Sequence, residues 1–341
     1  MHAMNIGLMT RKRYSGTLSL FFLFFLATIA ITPLIGSTQI NLGKAFSNEL
    51  AFSDNVDANI LFLARVPRIF LAALTGAALS VAGAVFQSLL RNDLAAPFTL
   101  GVSSGAALGA VIAMSLGLHY TVAGIPTVPI AAFLGALGAI TLVFSLARTR
   151  TGEFPTTVLL LAGVTANFFF AALVMLIHYL SDFTQSFRIV RWLMGGLDIT
   201  SYKTLLSISP MIFLGFGVLM VFSRDLNVIS TGIQSAMSRG VEVIKVQKIG
   251  FIMASLLTGA VVALSGPIGF VGLIVPHIVR LIVGPDLRIL LPASIFFGAS
   301  FLIICDTLAR TIIAPTEIPV GIITAMLGGP FFVWLLKRPK T

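Results

Sequence analysis

Charged residues are scarce in this sequence. They make up 10% of 341 positions, against about 25% in soluble domains. A soluble fold of this size needs polar groups to cover its surface, and this chain does not have them. That shortage excludes a soluble enzyme, a disordered chain and a collagen-like fibre. Cysteine is almost absent: Cys305 is the single one, so no internal disulfide or thiolate metal cluster can form. No G-x-x-x-x-G-K-[ST] phosphate loop occurs, so the chain does not hold ATP by that motif. There is no H-E-x-x-H, and His2, His119, His178 and His277 lack metal-ligand spacing. Serines have no His/Asp partner pattern for nucleophilic catalysis. No catalytic residue, metal site or cofactor is expected.

What is abundant is apolar: 57% of residues are hydrophobic, with a mean hydropathy of +1.03. The apolar stretches are continuous, as in Leu18 to Gly36 and Met211 to Phe222. Barrel strands alternate instead. Continuous apolar segments in lipid must satisfy their own backbone groups, and helices do so. The expected fold is all-α and polytopic, a single transmembrane domain over 1–341. Its ten transmembrane helices are placed at about 18–36, 67–90, 95–116, 124–147, 156–180, 204–222, 249–265, 268–283, 289–309 and 318–336. Arg11, Lys12 and Arg13 precede the first span, which is longer than a signal peptide's apolar region and lacks an A-x-A-like cleavage site. It reads as an uncleaved span.

The net charge is +10. The basic residues sit in short clusters between apolar segments, as topology-setting charge does, so nucleic acid is not an expected partner. With both termini cytoplasmic, Lys and Arg on the inside (Arg91, Arg148, Arg150, Arg224, Arg239, Lys245, Lys248, Arg288 and both terminal clusters) outnumber those outside (Lys44, Arg65, Arg68, Arg188, Arg191, Lys203, Arg310). Leu74–Gly83 resembles Leu257–Gly266. In this topology the two run in opposite directions. That suits an inverted repeat or two independent close helix contacts built on small residues.

Four features carry the functional reading. Arg65-Val66-Pro67-Arg68 and Arg310 lie on the side disfavoured for basic residues. They are either snorkelling anchors or a docking site for acidic groups. Asp306 is the one carboxylate set well inside an apolar run, and Arg310 four residues on can neutralise it. Ion-coupled carriers bury titratable groups in their spans, so energy for moving a solute is expected from a partner. The polar stretch 224–245 holds Gly232 and Gly240 around a short helix-like segment. It reads as a solvated loop or as short coupling helices docking into a cytoplasmic protein. Gly266-Pro267-Ile268-Gly269, Pro276-His277 and Ile318-Pro319-Val320-Gly321 break regular helix. Such breaks are tolerated where protein or a water-filled cavity covers the backbone.

Several strings now fall into order: Arg65-Val66-Pro67-Arg68; Gln87, then Arg91 to Pro97; Leu100 to Ala106; Leu159 to Val164; Trp192 to Gly196; Gly269 to Arg280; and Glu317 to Ala325, then Gly328 and Pro330 to Phe332. Together, across about 60–338, they resemble the permease family of iron-chelate and cobalamin ATP-binding cassette (ABC) importers. The resemblance implies ten transmembrane helices and a homodimer in the inner membrane. It implies separate cytoplasmic ATPase subunits and a periplasmic or surface solute-binding protein. The implied cargo is a ferric siderophore, haem or cobalamin. By position, Arg65, Arg68 and Arg310 match external residues that engage the binding protein. Asn92, Asp93 and Leu94 match one gate segment, and Thr156 and Thr157 a second. Gly232, Ala236, Arg239 and Gly240 match the segment that touches the ATPase. Asp93 departs from the Asn-Pro-Leu usual in relatives, which leaves that turn less rigid. Ile233 stands where relatives carry an acid. The alternatives, an ion-coupled secondary carrier or a membrane-embedded enzyme, would need a titratable or reactive cluster at membrane depth.

Overall fold

The computed structural model describes residues 11–47, 52, 54–118, 120–122, 124–147, 155–198 and 201–337. His2, Glu49, His119, Arg148, Arg150, Arg338 and Lys340 lie outside them. The described chain is helical apart from a two-residue hairpin, β1 (Thr121–Val122) against β2 (Ile125–Pro126). The helices are α1 (Arg11–Ile31), α2 (Leu42–Ala45), α3 (Val56–Asn59), α4 (Val66–Leu90), α5 (Val102–Ser115), α6 (Thr127–Ala147), α7 (Thr156–Leu180) and α8 (Phe183–Leu193). There follow α9 (Tyr202–Val221), α10 (Ser223–Thr231), α11 (Ile233–Ser238), α12 (Val243–Ser265), α13 (Val271–Val283), α14 (Leu287–Thr311) and α15 (Val320–Lys337). A π-helical turn, Ile60–Arg65, joins α3 to α4.

Among the described residues seven segments are long and apolar enough to cross a bilayer: Ser15–Leu34, Val56–Leu90, Thr127–Ala147, Thr156–Leu180, Tyr202–Val221, Val243–Ser265 and Leu287–Thr311. Three further apolar helices, Val102–Ser115, Val271–Val283 and Val320–Leu335, are shorter. The fold is that of a multi-pass helical membrane protein. The apolar stretch expected as a helix over 95–116 is helical only from Val102. Pro97 and Gly101, which has φ 79°, hold the preceding residues in turns. The break expected at Pro276 does not occur: α13 runs through it, at the cost of one intrahelical bond. The backbone is irregular over Gly266–Phe270 and again through Ile318–Pro319, before α15 begins at Val320.

Burial separates the helices into a centre and a rim. The apolar window of the α4 segment is 89% buried, and those of α12 and α14 are 67% and 61%. For α1 the figure is 17%, and for α6, α7 and α9 about a third or less (33%, 28% and 28%), as expected of helices that show one face to lipid. In lipid, close helix packing depends on small residues that let backbones approach. Gly76 on α4 faces Gly298 on α14, and Gly83 on α4 faces Gly272 on α13, each against backbone a Cβ would strike. Arg68 pairs with Asp306 eight residues before the Gly76–Gly298 contact on α4 and eight residues after it on α14. The two helices are therefore antiparallel. So are α4 and α12, because Phe86 stacks edge-on against Phe251 at 5.7 Å and Leu89 packs at Gly250. These are the helices carrying the two similar strings.

Candidate functional site

One end of the bundle gathers charge. Asp306, 1% exposed, accepts from Arg68 Nε at 3.0 and 3.1 Å and from Arg310 Nε at 3.0 Å. Arg68 Nη1 also reaches Glu317 at 2.7 Å and Asp198 at 3.5 Å, and Asp198 takes Arg191 at 3.2 Å. Arg68 thus joins α4, α14, the entry to α15 and the turn after α8. Arg65 is turned inward. Its guanidinium donates to the Pro33 carbonyl at 2.7 Å and to the Thr38 carbonyl. Arg65 and Arg310 are 5% and 4% exposed, so Arg68 is the member of the trio with an outward edge. The arginines were legible in the sequence. Their carboxylate partners Asp198 and Glu317 were not, since each lies more than 100 residues from Arg68.

A cavity of about 1010 Å³ lies between this cluster and the opposite end. Its wall is built from the turns before α5 (Ala96–Thr99), from α5, α7 and the end of α8, and from the irregular Pro267–Phe270 and the first turns of α15. Among the described residues no charged side chain lines it; its polar groups include Thr99, Ser103, Ser104 and Asn167. Thr99 Oγ1 donates to the Ala96 carbonyl at 2.8 Å and Ser104 Oγ to the Gly101 carbonyl at 3.0 Å. Phe270 adopts φ 67°, a strained conformation for a bulky residue, and its ring packs against Phe332 at 6.3 Å. Among the described residues, no cluster of His, Cys, Asp and Glu could hold a metal ion. The wall is suited to a bulky solute held by shape and weak contacts.

At the far end α4 terminates in a left-handed residue, Arg91, with φ 47°, the usual geometry of a helix stop. Asn92 Oδ1 then accepts from Leu94 N at 2.9 Å. Asp93 takes Arg280 Nη1 at 2.5 Å, and Arg280 Nη2 reaches Gln87 Oε1 at 2.9 Å. Leu94 is exposed. Thr156 and Thr157 open α7 at the same end, where Thr156 lines a small pocket with Leu89, Leu90, Gln247 and Phe251. His277, one turn before Arg280, packs edge-on against Phe331 at 6.0 Å.

The polar stretch folds here into α10 and α11. Gly232 (φ 139°) and Gly240 (φ 79°) flank α11, where a side chain would be strained. Ala236 is fully buried, while Met237 and Arg239 face outward. Asn227, which the sequence reading passed over, ties this region to α14. Its amide donates to Asp286 Oδ1 at 2.7 Å, and its oxygen accepts from Leu287 N at 2.8 Å. The neighbouring Arg288 guanidinium holds the Asp286 carboxyl below the usual carboxylate range against the opposing effect of burial, and Asn227 adds to the lowering. A proline followed by Asp at a helix start was a readable capping signal; a partner 59 residues away was not.

The sequence profile of the FecCD transport family matches residues 21–338. The hemin transport system permease protein of Yersinia pestis is 38% identical over 320 residues, covering 93% of this chain and 95% of that protein. A cobalamin import system permease protein of Halobacterium salinarum is 44% identical over 277 residues, 80% and 72% of the two chains. An Fe(3+)-citrate import system permease protein of Bacillus subtilis is 31% identical over 337 residues, 97% and 98% of the two. Among solved structures, a metal-chelate-type ABC transporter in an inward-facing conformation superposes with a TM-score of 0.81 at 31% identity, covering 96% of this chain and all (100%) of that one. A match of this extent, over the fold whose clusters and cavity are set out above, makes the chain a member of the FecCD transport family.

Proposed function

We propose that this chain is the membrane permease subunit of an ABC importer for a chelated or caged metal, such as a ferric chelate, haem or cobalamin. The observation that carries the reading is the uncharged cavity set between two differently equipped ends. One end holds the Arg68 cluster. The other holds the Arg91–Leu94 turn and the exposed face of α11. A naked cation or oxyanion would need charged or ligating side chains. A chelate whose metal is already coordinated needs shape and a few hydrogen bonds.

The three shorter apolar helices complete ten spans, and two copies of the chain enclose the path. The Arg68 end faces outward and receives a solute-binding protein. Arg68 meets acidic groups of that partner, while Arg65 and Arg310 stand behind it as fixed positive charge. The α11 end faces the cytoplasm with both termini. Gly232, Ala236, Arg239 and Gly240 form the seat of a separate ATPase, and Asn227–Asp286 links that seat to α14. Asn92, Asp93 and Leu94, with Thr156 and Thr157, gate the cytoplasmic end. ATP binding in the partner shifts which end is open, and differential affinity for the two states drives the cycle.

Reconstitution with its ATPase and binding protein tests the proposal. Uptake of hemin, ferric citrate or cobalamin into proteoliposomes is expected only with ATP. Uptake by the chain alone, or uptake driven by an ion gradient, would overturn it.

A further inference from the structure

Arg280 sits in the apolar helix α13 and is largely buried, with 20% of its side chain exposed. A guanidinium in that setting needs partners. It finds them on other elements. One is Asp93, in the turn after α4; the other is Gln87, 2% exposed on α4 itself. Gln87 in turn points its amide at the Leu273 carbonyl of α13, at 3.5 Å. The same two elements continue into the cavity: the turn through Ala96–Thr99, and α13 through Gly272 and Leu273. On α4 the cavity is reached at Leu79, eight residues before Gln87, or about 12 Å along the axis. The Arg280 pairs therefore lie just beyond the cavity wall, at the α10–α11 end.

The pair is built unevenly. Arg280 is sheltered and anchored twice, whereas Asp93 is 68% exposed and belongs to a turn that otherwise carries local bonds, Asn92 N to Gln87 O at 3.1 Å and Ala95 N to Asn92 O at 3.0 Å. With Asp93 in solvent the ion pair is screened and is worth little net free energy. That suits a contact that must be made and broken in every cycle, where a buried pair would hold one state too firmly.

We infer that Arg280 and Asp93 form the exchangeable latch of the gate at this end, made when the Arg91–Gly101 segment seals the cavity and broken when it opens. The inference rests on the gate reading proposed above. Both are positioning residues: neither lines the cavity. The latch replaces, by an ion pair, the stiffness a proline would give the turn.

Cysteine accessibility tests it, because Cys305 is buried and does not interfere. Ser104→Cys places a thiol on the cavity wall in the complete transporter, with its ATPase, in inside-out vesicles. The rate of modification by a membrane-impermeant methanethiosulfonate is read with and without ATP and vanadate. Asp93→Asn is expected to raise the resting rate about fivefold, the scale of losing one exposed pair. Asp93→Glu, and the exchange Asp93→Arg with Arg280→Asp, are expected to keep the parent rate. If Asp93→Asn labels at the parent rate while nucleotide still changes that rate, the latch is overturned and the gate stands. An exchanged pair labelling as fast as Asp93→Asn overturns the latch as well. If nucleotide changes the rate in no variant, the gate reading falls and the latch with it. Asp93 is exposed, so Asp93→Asn and Asp93→Glu leave the folded chain available for the deciding arms.

Discussion

Replacing Asp306 by Asn separates burial from pairing at the Arg68 cluster. The change keeps the side chain's shape and removes its charge. Asp306 is the shared acceptor for two guanidiniums, at 2.9 Å from Arg68 Nη2 and 3.0 Å from Arg310 Nε. Arg310 has 5% of its side chain exposed, and its Nη2 already lacks a partner. Arg68 keeps Glu317 and Asp198; among the described residues Arg310 keeps nothing comparable. Removing one member of a buried pair costs about 3–5 kcal/mol, because a charge is left uncompensated. At roughly 2 °C per kcal/mol for a chain of this size, Tm in detergent falls by about 6–10 °C. Arg68→Gln costs less, since Arg310 and Asp306 still pair. The double change Asp306→Leu with Arg310→Met is expected to be milder than Asp306→Asn, as apolar groups of similar volume commonly replace a buried pair at little cost. Thermal unfolding followed by tryptophan fluorescence reads all three. A fall below about 2 °C for Asp306→Asn would show that water reaches the cluster and screens it. A double variant less stable than the single one would refute the reasoning outright.

Gly83→Ala sets a Cβ against the backbone of Gly272. Helices α4 and α13 must part, at a cost of about 1–3 kcal/mol, whereas Gly138→Ala, with open space around it, leaves Tm unchanged. For Asp286 the sign follows from its lowered pKa. Its bonds to Asn227 and Arg288 stabilise the chain above the unfolded carboxylate value, about 3.9. That contribution fades as pH falls through the lowered folded value. Asp286→Asn should therefore reduce Tm at pH 7 and make no difference well below pH 4, as a pair of pH–Tm curves would show. Arg68→Gln should weaken capture of the binding protein about tenfold at low salt, and less as ionic strength rises. Equal affinities across a salt series measured by surface plasmon resonance would remove Arg68 from the docking site.

Local chemistry was readable along the chain. Apolar length placed α4, α6, α7 and α14 close to their observed ends, because a helix that must satisfy its own backbone in lipid is written in consecutive residues. Gly232 and Gly240 marked α11, and the four-residue spacing of Asp306 and Arg310 announced their pairing on one helical face. The start of α5 was misplaced because apolar composition does not distinguish helix from the turns that Pro97 and Gly101 impose.

Sequence alone determined that this is a membrane-embedded helical chain without the G-x-x-x-x-G-K-[ST] motif, since composition and the absence of a motif are properties of the string. Only the tertiary structure decided that Arg65 and Arg310 are turned inward while Arg68 reaches out, that Asn227 caps α14, and that Asp93 meets Arg280 across 187 positions. Each depends on which helices become neighbours. That is set by close approaches such as Gly76 to Gly298 and Gly83 to Gly272, and a small residue does not say in advance which backbone it will admit.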